Sequence, residues 1–138
     1  LNSKKNKNTM ETAEIVSKIQ SALKSCAESN GIPTKEVRVR ISRKKGFIAS
    51  TVKCDVMQKM DSVSEVSLKD LLGLNPIQAP LVNTYLGNAL ANFAKKENID
   101  ENTVNGRFYT TSDDFNPRLY LYNNDTPIRE VKIEELIS

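Results

Sequence analysis

A chain of 138 residues with 38% hydrophobic and 27% charged side chains has the size and balance of one globular domain. It holds no histidine, which removes Ser–His, Cys–His and His–metal sites together, and its two cysteines are too few for a disulfide scaffold. The net charge of +3 hides a split: residues 1–60 carry 13 Lys+Arg against 5 Asp+Glu, and residues 61–138 carry 7 against 12.

Residues 1–8 read as a flexible basic arm with Lys4, Lys5 and Lys7, and residues 9–138 as a single α+β domain. Asn8 and Glu11 have the spacing of a capping box. Behind them Ala13, Ile15, Val16, Ile19, Ala22, Leu23, Cys26 and Ala27 recur at helical intervals. The prediction is a helix over about 9–29, stopped by Asn30-Gly31 and by Pro33.

Val37, Val39 and Ile41 then alternate with Arg38, Arg40 and Ser42, the pattern of a half-buried strand. Arg43–Gly46 reads as a four-residue turn. A second strand follows with Ile48, Ser50, Val52, Cys54 and Val56 on one face. This loop length sets Ile41 opposite Ile48 and Val37 opposite Val52.

Gln58–Val66 reads as a polar connector. Ser67 and Asp70 open a short helix that Gly73 closes. The main helix begins with Pro80 near its first position and runs to about Glu97, with Val82, Tyr85, Leu86, Ala89, Leu90 and Phe93 inward. Gly87 and Ala91 within it admit a closely packed backbone from the same chain. Such a partner explains a helical glycine that costs up to about 1 kcal/mol.

Asn105-Gly106, Asp113–Pro117 and Asn123–Pro127 are turn signals. They delimit strands at Arg107–Thr111, Arg118–Tyr122 and Ile128–Ile133, a three-stranded antiparallel meander. No internal repeat at a solenoid period is visible. The order of helix, hairpin, short helix, long helix and meander predicts the α+β class.

Two surfaces stand out. Arg38, Arg40, Arg43, Lys44, Lys45 and Lys53, with the arm lysines, form a basic hairpin that could meet successive phosphates. Only Phe47 interleaves with them, so a base-stacking platform is missing. Arg107, Tyr109, Arg118, Tyr120 and Tyr122 make a ridge on the meander, of the two residue types enriched at interface hot spots. The alternative for each is structural: a solvated sheet face for the first, a second small core for the second. Asp113, Asp114 and Asn116 read as turn residues and not as a metal site. Cys26 and Cys54 lie on apolar faces and read as buried thiols.

No phosphate loop or catalytic constellation is present, and no cofactor is implied. The expectation is a non-enzymatic assembly module that binds a protein partner or a second copy. Fourteen Asn and fourteen Lys suit an AT-rich genome, as in many phages, low-GC bacteria and some protists, and the module is expected to be a subunit of a larger complex such as a viral or phage one. The alternative is a nucleic-acid-binding accessory protein using the hairpin and arm. No run reaches the ~18 apolar residues of a membrane span. No membrane partner is therefore expected, and with no signal peptide the expected location is cytoplasmic or virion-associated.

Overall fold

A computed structural model describes residues 11–137. The elements are α1 (Thr12–Asn30), β1 (Val37–Lys44), β2 (Thr51–Gln58), β3 (Asp61–Val66), α2 (Leu68–Leu72), α3 (Gln78–Lys96), β4 (Val104–Tyr109), β5 (Arg118–Asn123), β6 (Thr126–Val131) and α4 (Ile133–Ile137). The six strands form one antiparallel sheet in the order β3-β2-β1-β4-β5-β6. The class is α+β, as the order of elements predicts.

Helix α1 buries Ile15, Ile19, Ala22, Leu23, Cys26 and Ala27 and ends where Gly31 turns left-handed. Helix α3 buries Val82, Leu86, Leu90, Phe93 and Ala94 and starts two residues before Pro80. Its first turn is held by Asn75, whose Oδ1 accepts the N–H groups of Ile77 and Gln78 at 2.9 and 2.7 Å. Both helices pack on one face of the sheet, against Val39, Ile41, Val52, Cys54, Phe108, Leu119 and Leu121 among others. Fully burying one such aliphatic side chain contributes roughly 1.5–3 kcal/mol.

Several expectations are corrected. The β1–β2 hairpin pairs Ile41 with Cys54 and Val37 with Gln58, not with Ile48 and Val52. Its connection is the six-residue loop 45–50. The shift is by an even number of positions, so the residues from Thr51 onward keep their predicted faces, but Ile48 and Ser50, expected on the apolar face of the second strand, lie in the loop instead, and Ile48 is exposed. The supposed connector 58–66 holds strand β3, which turns back through Lys59 in the left-handed region (φ 53°). Its alternation is Asp61, Ser62, Val63, Ser64, Glu65, an exposed edge with almost no apolar signal. Asn105-Gly106 is not a turn but lies inside β4, where Gly106 packs under Leu119. The basic arm and Asn8 lie outside the described residues, but the predicted capping box is not formed: Glu11 is extended and precedes a helix that starts at Thr12, not at residue 9.

The chain also repeats itself. A 19-residue helix, three antiparallel strands and a five-residue helix occur twice, as α1-β1-β2-β3-α2 and α3-β4-β5-β6-α4. Ala22, Leu23, Ala27, Ile32, Val37 and Arg40 recur 67 positions later as Ala89, Leu90, Ala94, Ile99, Val104 and Arg107. Past the first hairpin loop the offset becomes 65, and Glu65, Val66 and Leu71 recur as Glu130, Val131 and Leu136.

The hydrogen bonds recur too. Ile32 N–H donates to Ala27 O at 2.9 Å and Ile99 N–H to Ala94 O at 2.8 Å. Lys59 N–H reaches Glu36 O and Asn124 N–H reaches Thr103 O, each at 2.8 Å. Each meander has a register irregularity in its middle strand, between Val56 and Met57 and between Leu121 and Tyr122. The two units join through β1 and β4, with Arg40 directly opposite Arg107. Equivalent residues facing each other across an antiparallel pair place a local twofold axis between them.

Candidate functional site

Among the described residues, the helices cover one face of the sheet. The other face carries the alternate residues of every strand, as the pleat requires. Because the strand order is symmetric about β1 and β4, that face brings together the two surfaces that are separate in the sequence. Arg38 and Arg40 stand on β1, Arg107 and Tyr109 on β4, and Arg118, Tyr120 and Tyr122 on β5.

The tyrosines form one contiguous set. Tyr120 and Tyr122 have ring centroids 5.6 Å apart at 57°. The Arg38 guanidinium carbon lies 5.5 Å from the Tyr109 centroid, and Arg118 approaches the same ring at 5.9 Å. Tyr109 and Arg118 share Glu130. The carboxylate bonds Arg118 at 2.8 and 3.0 Å and holds its guanidinium pKa above the ordinary value. Burial first, and then the same carboxylate, push the Tyr109 phenol above its ordinary value. All three tyrosines are half-buried.

Arg107 is placed differently from its expected position on the ridge. It is 1% exposed and lies beneath the ridge. Its Nε donates to Asn105 Oδ1 at 2.9 Å, and its Nη2 donates to Asn124 O at 2.9 Å and Asp125 Oδ1 at 2.8 Å. The Tyr122 ring closes over it at 3.9 Å. A charge this buried persists only with such a full set of partners. Arg107 therefore holds Tyr122 in place, and the outward residues are Tyr109, Arg118 and Tyr120. Its repeat partner Arg40 solves the same problem with a carboxylate, bonding Asp55 Oδ2 at 2.9 and 3.2 Å. Asp55 is 3% exposed. At the matching position the second unit has Tyr120.

The basic hairpin does not form one surface. Arg38 and Arg40 are on the open face, but Arg43 turns away and donates from Nε to Ser50 Oγ at 2.9 Å, with Glu101 at 3.7 Å. Lys53 pairs with Glu65 at 4.0 Å, and Lys44 and Lys45 stand at the end of the hairpin. Burial lowers the pKa of Arg38 somewhat, and its guanidinium donates to the carbonyls of Lys35 and Val37. Most open-face cations thus have a carboxylate partner: Arg40 with Asp55, Lys53 with Glu65, Arg107 with Asp125, Arg118 with Glu130. Part of the charge split between the halves is also consumed internally, through Arg43 and Glu101.

The other candidates resolve simply. Asp114 accepts from Ser112 Oγ at 2.5 Å and from Asn116 N–H at 3.1 Å, which lowers its pKa and makes it a turn residue. Cys26 and Cys54 are buried and unpaired. No family model, no curated protein and no solved structure matches this chain.

Proposed function

We propose that the protein is a non-enzymatic assembly module, a subunit of a larger viral or phage complex, that docks a protein partner or a second copy on its open sheet face. The observation that carries this reading is the chemistry of the face: its cations are mostly neutralised by carboxylates of the same face, while Tyr109 and Tyr120 stay half-exposed beside Arg118. A near-neutral aromatic patch with buried ionic supports suits protein docking, where aromatic and Arg anchors supply affinity and rim charges set orientation. It suits a polyanion less well, since phosphate contacts need cations free to replace counterions.

The test is a Tyr109→Ser/Tyr120→Ser double variant, which spares the Tyr122 ring that covers Arg107. Wild-type protein in low salt is expected to self-associate as its concentration rises, seen by light scattering. The variant is expected to stay monomeric with an unchanged far-ultraviolet circular dichroism spectrum. A wild type that remains monomeric at millimolar concentration removes the second-copy version.

One observation favours a second reading, nucleic-acid binding. No carboxylate forms a salt bridge with Arg38 among the described residues, Glu36 acting on it only at longer range, and its guanidinium lies over Tyr109, so a cation and an aromatic platform do coincide there. Binding of a short oligonucleotide that falls steeply with added salt supports this reading over the first.

A further inference from the structure

The loop between β1 and β2 is built to present two apolar side chains to the outside. Phe47 is 105% exposed and Ile48 94%, the most exposed large apolar residues described. The backbone closes a tight bend from Gly46 to Ala49: a Cβ on Gly46 would stand 2.2 Å from the Ala49 carbonyl oxygen. Phe47 and Ile48 hold the two central positions of that bend, so they point away from the protein.

The stem beneath the bend is clamped at three points. Val52 N–H donates to Asn83 Oδ1 of α3 at 2.7 Å. Arg43 Nε donates to Ser50 Oγ at 2.9 Å. Gly87 of α3 lets the Ser50 carbonyl sit 2.6 Å from where a Cβ would be. A rigid stem under an apolar tip is not what folding alone requires. The corresponding loop of the second unit, between β4 and β5, carries Asp113 and Asp114, and its Phe115 folds back onto the core.

We infer that this loop is a membrane-docking finger: Phe47 and Ile48 insert into the interface of an anionic lipid surface while Lys44 and Lys45 contact its headgroups. Charge complementarity points to that occupant. No acidic residue occurs from Val37 to Cys54, and Lys44 and Lys45 directly precede the bend without carboxylate partners among the described residues. Apolar side chains seated at the headgroup boundary beside lysines are the elements of interfacial binding. The shape of the tip agrees. Two adjacent apolar side chains that project from one bend can enter a fluid apolar phase together. Ile48 is also no stacking group, which argues against a nucleic-acid partner for the tip. The finger is separate from the tyrosine face. Hydropathy windows, on which the expectation of no membrane partner rests, detect only spans and do not register two residues in a bend.

The experiment is co-sedimentation of the full chain with vesicles of phosphatidylcholine alone and of phosphatidylcholine with phosphatidylserine. The expected result is binding that is at least tenfold stronger with phosphatidylserine and that weakens with added salt. Phe47→Ser/Ile48→Ser is expected to lose at least tenfold of it with an unchanged melting temperature, because those side chains contact no core. Lys44→Ser/Lys45→Ser is expected to remove the preference for the anionic vesicles. Absence of wild-type binding at millimolar lipid overturns the proposal. So does binding that the Phe47/Ile48 variant retains in full, and so does a tip variant that impairs only oligonucleotide binding or self-association.

Discussion

At the residue scale, two arginines at equivalent places in the repeat show how local context decides a side chain's fate. Arg40 finds a carboxylate on the next strand. Arg107 finds a tyrosine there and turns instead to the β5–β6 turn and the Tyr122 face. Nothing in the alternation around Arg107 distinguishes it from an exposed strand residue; only the position of Asp125 does. The thiols are simpler, because apolar spacing alone places both inside. Burial pushes the Cys26 thiol up, and burial with Asp55 and Glu65 nearby pushes Cys54 up to about 12. Both thiols are therefore expected to resist a disulfide reagent at pH 8 until the protein unfolds. The sign for stability follows by linkage. Above about pH 8.5 the unfolded thiols ionise while folded Cys54 stays protonated until about pH 12 and folded Cys26 ionises later than in the unfolded chain, so stability falls as pH rises further. Denaturant midpoints at pH 7 and pH 10 with a Cys54→Ala control check this: the control should lose less on going to pH 10.

At the element scale, alternation and register separate cleanly. The faces of β1 and β2 are legible because a period of two survives any even slip. The register is not legible, because the length of a loop depends on what its stem rests upon. Here it rests on α3, through Asn83 and Gly87, more than thirty residues away in sequence. Gly87 gives a direct prediction. On helix propensity alone, Gly87→Ala should stabilise by up to about 1 kcal/mol. With the Ser50 carbonyl in the way, it should instead destabilise, by roughly 1–3 kcal/mol, as overpacking does. Urea unfolding measures the sign; a stabilised variant would mean that the loop does not rest on the helix.

At the scale of the whole molecule, the repeat sets the connectivity. The five residues 73–77 join α2 to α3, and the local twofold axis relates α2 to α4 and α3 to α1. The end of α4 therefore faces the start of α1 across the same gap, and those two helices touch. A circular permutant that begins at Asn75, ends at Leu74 and joins Ser138 to Glu11 by about five residues is expected to fold. It keeps the Asn75 cap of α3 and every strand pairing. Its circular dichroism spectrum and the slope of its urea transition should match the parent. A permutant with a broad, non-cooperative transition would show that the symmetry is one of outline and not of packing.

By itself the sequence determined the class, five of the six strands, the two long helices, most of the apolar face of each, and the burial of both cysteines. Those are properties of short-range periodicity, which the chain carries within any window of ten residues. The tertiary structure decided what depends on distant partners: the hairpin register, the polar edge strand β3, the burial of Arg107, the outward presentation of Phe47 and Ile48, and the meeting of Arg38 with the tyrosines on one face. The repeat lies between the two. Its identical positions are present in the sequence, but they are mostly small and aliphatic core residues, which recur by chance in any buried helix or strand. They become a pattern only when β1 and β4 pair and bring Arg40 against Arg107.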